Sequence, residues 1–126
     1  MYKRMLVPLD GSELAEVVFA YAKELAGRLD LEVISLHVCS PHERELAPMH
    51  RAYIERAAEI IRRQSQEVQQ RTGIEPGAKA IEARGELAVG HPAEEILRYA
   101  DENGIDLILM ATHGRSGIRR WAMGSV

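Results

Sequence analysis

Short apolar runs alternate along the chain with longer segments of helical spacing. Three runs lack the polar alternation of a half-exposed strand: residues 4–9 (RMLVPL), 31–39 (LEVISLHVC) and 105–111 (IDLILMA). Such runs are typical of strands buried on both faces of a parallel sheet. A further strand is expected between Lys79 and Val89, where one strand with a bulge or turn at Gly85 and two short strands both fit.

Three helices are predicted between these strands. The first begins after Ser12, whose hydroxyl can cap the free amides of the first turn. The second runs from about Met49 to Arg71 after a charged connection and is closed by Thr72-Gly73, and the third begins at Pro92 and ends at Asn103-Gly104. Strict alternation of strands and helices predicts an α/β fold, a parallel sheet with helices on both faces. Ligands of such sheets bind beyond the carboxyl ends of the strands, where the strand order reverses.

Each helix carries one apolar stripe that is expected to face the sheet. In the first helix this stripe comprises Leu14, Val18, Tyr21, Leu25 and Leu29. In the second it comprises Tyr53, Ala57, Ile60, Ile61 and Val68. In the third it comprises Ile96, Leu97 and Ala100.

Composition and charge exclude several classes of protein. At 126 residues the chain is expected to form one domain, 1–126, with one core. With 16 basic against 19 acidic residues it lacks the positive excess of a nucleic-acid-binding surface. No apolar run approaches the roughly 20 residues needed to span a bilayer, and no secretory leader is visible. Cys39 is the only cysteine, so no internal disulfide is possible and a cytoplasmic location is expected.

The candidate chemistry follows the first and last strands. Asp10-Gly11-Ser12 comes after the first strand, the segment 112–117 (THGRSG) comes after the last, and glycines stand at 114, 117 and 124. Small residues allow backbone amides to approach a phosphate closely, although the same glycines could serve turn geometry alone. Neither a P-loop nor the G-x-G-x-x-G fingerprint of dinucleotide-binding folds is present.

Three motifs in order resemble the universal stress protein family. They are residues 6–12 (LVPLDGS), residues 90–96 (GHPAEEI) and residues 106–117 (DLILMATHGRSG), the last followed by Gly124-Ser125-Val126. The resemblance implies a three-layer α/β/α, Rossmann-like fold related to the adenine nucleotide alpha-hydrolases, with strand order 3-2-1-4. It also implies a further helix and a fifth strand beyond residue 126, the strand commonly forming the dimer edge. We therefore expect the 126-residue chain to be truncated and to leave the edge of the fourth strand exposed.

ATP-binding members of that family carry a glycine, two residues, a second glycine, nine residues, and then Gly-Ser or Gly-Thr. Counted back from Gly124-Ser125, the second glycine is Gly114 and the first falls at Ala111. The spacing is therefore intact, while Ala111 adds a methyl group where the family has none.

The resemblance implies a role for each matching residue. Pro8, Leu9 and Asp10 would lie against the adenosine, with the Asp10 carboxylate available to the ribose, and Val38 would offer backbone groups to the adenine edge. The ribose and first phosphates would be held by Met110, Ala111, His113 and Gly114, with Arg115 adding charge-assisted hydrogen bonds. The outer phosphates would be held by Gly124, Ser125 and Val126. A Mg²⁺ or Mn²⁺ ion would bridge phosphate oxygens, chiefly with water ligands.

ATP is accordingly expected as a regulatory ligand in a cytoplasmic stress response, in a protein that forms a homodimer at full length and acts on an unknown regulatory protein partner. The alternatives are a dimeric scaffold of the same fold with an empty pocket, which Ala111 favours, and a slow ATPase. No general base is paired with a nucleophile, so no catalytic residue is assigned. His37 is interpreted as a core residue and Cys39 as a small buried hydrophobe. His42, His50 and His91 show no metal-ligand spacing, and no metal site is predicted.

Overall fold

The structure, a computed structural model, describes residues 3–9, 15–73, 82–114 and 117–124. Its strands are β1 (Arg4–Pro8), β2 (Glu32–Cys39), β3 (Ala83–Val89), β4 (Leu107–Gly114) and β5 (Gly117–Gly124). Its helices are α1 (Ala15–Leu29), α2 (Ala47–Thr72) and α3 (Pro92–Glu102), and a 3-10 helix, Pro41–Leu46, leads into α2. The predicted cap Ser12 lies outside the described residues.

The strands form one sheet in the order β3-β2-β1-β4-β5. The first four are parallel, which confirms the expected α/β fold and the order 3-2-1-4. β3 pairs with β2 in an unbroken register from Val33 opposite Ala83 to Cys39 opposite Val89. This stretch is therefore one strand without a bulge at Gly85. Glycine suits this position because a Cβ atom there would lie 2.6 Å from the carbonyl oxygen of Ile54 on α2.

The expectations for the chain after β4 were wrong in two respects. The last parallel strand does not stop near residue 111, because β4 continues to Gly114, and the edge of β4 is not exposed, because β5 pairs with it antiparallel. The register runs from Ile108 opposite Gly124 to Gly114 opposite Gly117, with a shift between Thr112 and His113. The physical reason is that an open edge presents unpaired backbone donors and acceptors, which β5 satisfies.

The helices form layers on opposite faces of the sheet. One core cluster joins β1, β2 and β4 to α1 and α2, and includes Met5, Val7, Val33, Ile54 and Ile61. A second cluster joins the other face to α3, and includes Leu6, Ile34, Leu36 and Ala100. Alternate residues of β2 therefore face different helices. No helix among the described residues is long and apolar enough to cross a bilayer.

Two of the predicted helix stripes need correction. In α1, Tyr21 and Leu29 are 49% and 48% exposed, and the buried apolar side chains described in this helix are Val18, Ala22 and Ala26. The small residues face inward because α1 packs closely on α2: a Cβ atom at Gly27 would lie 2.8 Å from the carbonyl oxygen of Ser65.

In α3, Leu97 is 63% exposed. Tyr99 packs against the core beside Ile96 and Ala100. The stripe of α2 is confirmed at Ala57, Ile61 and Val68.

Candidate functional site

The carboxyl ends of β1 and β2 are joined by backbone pairing. Pro8 lies opposite Leu36, and the Leu9 N–H then donates a 2.8 Å hydrogen bond to the Leu36 carbonyl oxygen. The side chain of Leu9 is buried in the cluster under α1 and α2. Val38 packs on the opposite face of the sheet, near α3. The backbone thus places Pro8, Leu9 and Val38 near the same end of two adjacent strands.

β1 and β4 are paired only at their amino ends. Among the described residues, the β1–β4 register comprises Met5 opposite Leu107 and Leu6 opposite Ile108, whereas β1 follows β2 as far as Pro8. The chain proceeds from β1 to β2 on one side and returns to β4 on the other, so the strand order reverses between β1 and β4. The two strands therefore part at the switch point, where open α/β sheets bind ligands. Met110 lies on β4 two residues beyond Ile108, the last residue that pairs with β1.

Asp106 ties the amino ends of these strands together. Its Oδ2 atom accepts hydrogen bonds from the backbone N–H groups of Lys3, at 2.8 Å, and Arg4, at 3.0 Å. These two N–H donors hold the pKa of the Asp106 carboxyl below its ordinary value. The Asp106 N–H in turn donates to the Arg4 carbonyl oxygen at 3.0 Å. β1 and β4 are thus fixed at one end and separate toward the other.

The remaining predicted site residues are only partly described. Asp10, Arg115, Ser125 and Val126 lie outside the described residues, as do the side chains of Ala111, His113, Gly114 and Gly124. The backbone places Gly114 opposite Gly117, and Gly124 opposite Ile108. The β4–β5 pairing therefore separates the two motif glycines by about 20 Å of strand rather than bringing them together.

His37 joins the ends of β1 and β2 through its ring. The side chain is 5% exposed, and its Nδ1 atom lies 2.8 Å from the carbonyl oxygen of Leu9. Because a carbonyl oxygen can only accept, Nδ1 must carry the proton. In the neutral ring Nε2 then holds a lone pair, and this buried atom has no hydrogen-bond partner. The ring stacks on His50 of α2, with 4.4 Å between centroids.

Cys39 completes a cluster with these two histidines. Ligand atoms of His37, Cys39 and His50 all lie within 4.8 Å of one another. His50 Nε2 lies 3.3 Å from Glu43 Oε2, in an orientation that makes no hydrogen bond. Glu43 is held in turn by the Ser40 hydroxyl, which donates to Oε1 at 3.0 Å. Burial and, less strongly, the Glu43 charge raise the pKa of the Cys39 thiol, so the free thiol is a poor nucleophile.

This cluster was missed by sequence reasoning. The signal in the sequence is the spacing of two between His37 and Cys39, which places both on one face of a strand. The third member, His50, lies on another element and is brought into contact by the packing of α2 on β2. Spacing along the chain therefore could not identify it.

Comparison with known proteins agrees with this architecture. The sequence model of the universal stress protein family matches residues 1–126. The chain belongs to that family. Among its relatives, universal stress protein MJ0577 of Methanocaldococcus jannaschii is 30% identical over all of this chain and 86% of its own length. The universal stress protein of Methanothermobacter thermautotrophicus is 32% identical over all of this chain and 86% of its own.

Solved structures of the family share the fold. A universal stress protein from Archaeoglobus fulgidus, in complex with dAMP, aligns with a TM-score of 0.64 at 22% identity, over 86% of this chain and 80% of its own. A universal stress protein in complex with cAMP aligns with a TM-score of 0.59 at 23% identity, over 85% and 70%. These likenesses support the universal stress protein fold.

Proposed function

We propose that this universal stress protein binds an adenine nucleotide at the carboxyl ends of β1, β2 and β4. The physiological nucleotide is ATP, which acts as a regulatory ligand. The observation that carries the proposal is the parting of β1 and β4 beyond Leu6 and Ile108. It opens the sheet at the point where the strand order reverses, which is where folds of this class bind ligands.

The residues that match the family pattern supply the contacts in this proposal. Pro8, Leu9 and Asp10 lie against the adenosine, and Val38 offers backbone groups to the base. Met110, Ala111, His113 and Gly114 hold the ribose and first phosphates, assisted by Arg115. A Mg²⁺ or Mn²⁺ ion is carried by the phosphates themselves, with water completing its shell.

The phosphate contacts require a change in β5. In the family pattern Gly114 and the pair Gly124-Ser125 hold the same triphosphate, yet Gly124 here lies opposite Ile108. Nucleotide binding would therefore be coupled to separation of β5 from β4, and the ligand would favour the separated state by its higher affinity for it. Because β5 would leave β4 when the nucleotide binds, binding could also alter a surface that contacts a protein partner.

The structural neighbours support the choice of ligand. One contains dAMP and another cAMP, so proteins of this fold accept adenine nucleotides. The same ligand class suits this chain because the motif spacing from Ala111 to Ser125 is that of the family's ATP-binding members.

Calorimetry with ATP and millimolar Mg²⁺ tests the proposal. We expect saturable binding of one nucleotide per chain, weakened at least tenfold by Asp10→Ala and by Ser125→Ala. Asp101→Asn, on the exposed surface of α3, is the matched control and should bind as the unaltered protein does. The absence of both binding heat and a thermal shift at saturating ATP would refute it.

Ala111 favours a second candidate, a dimeric scaffold that binds no nucleotide. An added methyl group at this position would crowd the ribose or phosphates. Ala111→Gly distinguishes the two functions: affinity that exists only in this variant would establish the scaffold, whereas equal affinity in both proteins would exclude it. In either case the protein is proposed to act as a cytoplasmic homodimer with a regulatory protein partner, and no chemical step is required.

A further inference from the structure

We propose that His37, Cys39 and His50 bind a zinc ion at the carboxyl end of β2, beneath the start of α2. One ligand atom of each residue lies within 4.8 Å of the ligand atoms of the other two. The proposal does not depend on nucleotide binding, because the cluster faces α2 whereas Val38, the β2 residue of the proposed nucleotide site, packs toward α3.

The strand and the helix that carry the ligands are fixed independently. His37 and Cys39 lie in the unbroken β2–β3 ladder, and the Gly90 N–H donates to the Cys39 carbonyl oxygen at 2.9 Å. His50 lies in the first turn of α2, a 26-residue helix whose next turn contributes the buried Ile54. Two ligands on a central strand and one on a packed helix form a site whose geometry does not depend on a loop.

The hydrogen bonding of His37 prepares it as a ligand. Its Nδ1–H donates to the Leu9 carbonyl oxygen, so the lone pair of the neutral ring is on Nε2, the nitrogen that is free to bind an ion. A metal-binding histidine usually donates its other ring N–H to a carbonyl or carboxylate in this way. A buried nitrogen without a partner is unfavourable, and a bound ion would satisfy it.

The donor set favours zinc over harder cations. Two imidazoles and one thiolate are ligands that Zn²⁺ prefers, while Mg²⁺ and Ca²⁺ prefer oxygen. Glu43 Oε2, 3.3 Å from His50 Nε2, is a candidate for a fourth ligand. Ligand atoms of tetrahedral zinc lie about 3.3–3.7 Å apart, so each pair of ligand atoms must approach by about 1.5 Å at most. His50 is partly exposed, whereas His37 and Cys39 are buried.

The test uses untagged protein freed of metal by a chelator and kept reduced, without nucleotide. Titration with Zn²⁺ should show one site per chain. Titration with Co²⁺ should give the intense visible bands of tetrahedral coordination and a thiolate-to-cobalt charge-transfer band, and Zn²⁺ should displace the cobalt. These readouts report coordination directly and do not depend on any activity of the protein.

Three variants separate ligation from packing. Cys39→Ser should abolish the charge-transfer band. His37→Asn keeps an N–H near the position of Nδ1, and His50→Phe keeps a stacked ring, but each removes a ligand nitrogen. Each should weaken Zn²⁺ binding by more than about 100-fold, beyond the effect usual for residues outside the ligand shell. His42→Ala, an exposed histidine of the preceding 3-10 helix, is the matched control and should bind normally.

Several outcomes would overturn the site. One is the absence of Zn²⁺ binding at micromolar concentration in unaltered protein that is folded by circular dichroism. Others are a cobalt spectrum without the charge-transfer band, and unchanged affinity in folded Cys39→Ser or His50→Phe. Binding of copper with no measurable binding of zinc would overturn the assignment of the metal.

Discussion

The Nδ1 atom of His37 lies 2.8 Å from the carbonyl oxygen of Leu9. This contact joins the last part of β2 to the residue that follows β1, at the end of the sheet where we propose that nucleotide binds. It also determines that Nε2 is the ring nitrogen with a lone pair available to an ion. One hydrogen bond therefore links the proposed zinc cluster to the chain segment that leads into Asp10.

Substitution of His37 should reveal this bond in the free energy of unfolding. His37→Leu leaves the buried Leu9 carbonyl without its donor, and we expect a loss of about 1–3 kcal/mol. His37→Asn retains a donor at that position and should be about 1 kcal/mol more stable than His37→Leu. Urea unfolding in the presence of a chelator measures both. A His37→Leu variant as stable as His37→Asn would contradict the assigned role.

Gly27→Ala tests the close approach of α1 to α2. Alanine favours an isolated helix by about 1 kcal/mol relative to glycine. Here its Cβ atom would lie 2.8 Å from both the Ser65 carbonyl oxygen and the Val68 side chain, so the helices must separate. We expect a net destabilisation of about 1–3 kcal/mol by urea unfolding. Gln70→Ala, on the exposed face of α2, is the control and should change stability by less than about 0.5 kcal/mol. A stabilised Gly27→Ala would show that propensity outweighs packing.

Gly85→Ala tests the contact between β3 and α2. A Cβ atom would lie 2.6 Å from the Ile54 carbonyl oxygen, which is rigid helix backbone. We expect a loss of about 1–3 kcal/mol in urea unfolding, because β3 must move away from the helix. Glu86→Ala, the next residue on the strand, removes only an exposed ion pair with Arg84 and should cost less than about 1 kcal/mol. Equal effects of the two substitutions would contradict the proximity of β3 and α2.

Asp106 should contribute to the pH dependence of stability. Its carboxyl has a lowered pKa because it accepts hydrogen bonds from the Lys3 and Arg4 amides. A lowered folded-state pKa means that the stabilisation is present above the ordinary value of 3.8 and is lost as pH falls through the lower folded-state value.

Urea midpoints of the unaltered protein and Asp106→Asn, measured from neutral to acid pH, should therefore converge as pH falls. Asp101→Asn, also exposed, corrects for the loss of one negative charge. Curves for Asp106→Asn and the unaltered protein that stay parallel would show that the two amide hydrogen bonds do not favour the ionised form.

Much of the fold could be predicted because its signals are local. The apolar runs before Asp10 and Ser40 identify buried strands, and Pro92 and Gly73 mark helix ends through their own backbone preferences. The stripe of α1 was predicted less well. The helical periodicity was predicted correctly, but the face that is buried was not. The close approach of α2 leaves room for the small side chains of Ala22 and Ala26 on the buried face, and Tyr21 is exposed.

The sequence predicted where on the sheet the candidate nucleotide site lies, but only partly how the site residues are placed relative to one another. The motif residues mark the ends of β1 and β4, because alternation of strands and helices places those ends on one edge. The sequence could not show that Gly124 would lie opposite Ile108, since this register depends on the pairing of β5 with the edge of β4 and not on the spacing of the motif.

By itself, the sequence determined the order of the first four strands and the three helices. It also determined the edge of the sheet to which the carboxyl ends of these strands point, since hydrophobic periodicity and chain direction are properties of neighbouring residues. Only the tertiary structure decided that His50 meets His37 and Cys39, and that β1 and β4 part beyond Leu6. Both depend on contacts between residues far apart in the chain. Such contacts are determined by the packing of whole helices on the sheet and by which strand edges pair through backbone hydrogen bonds.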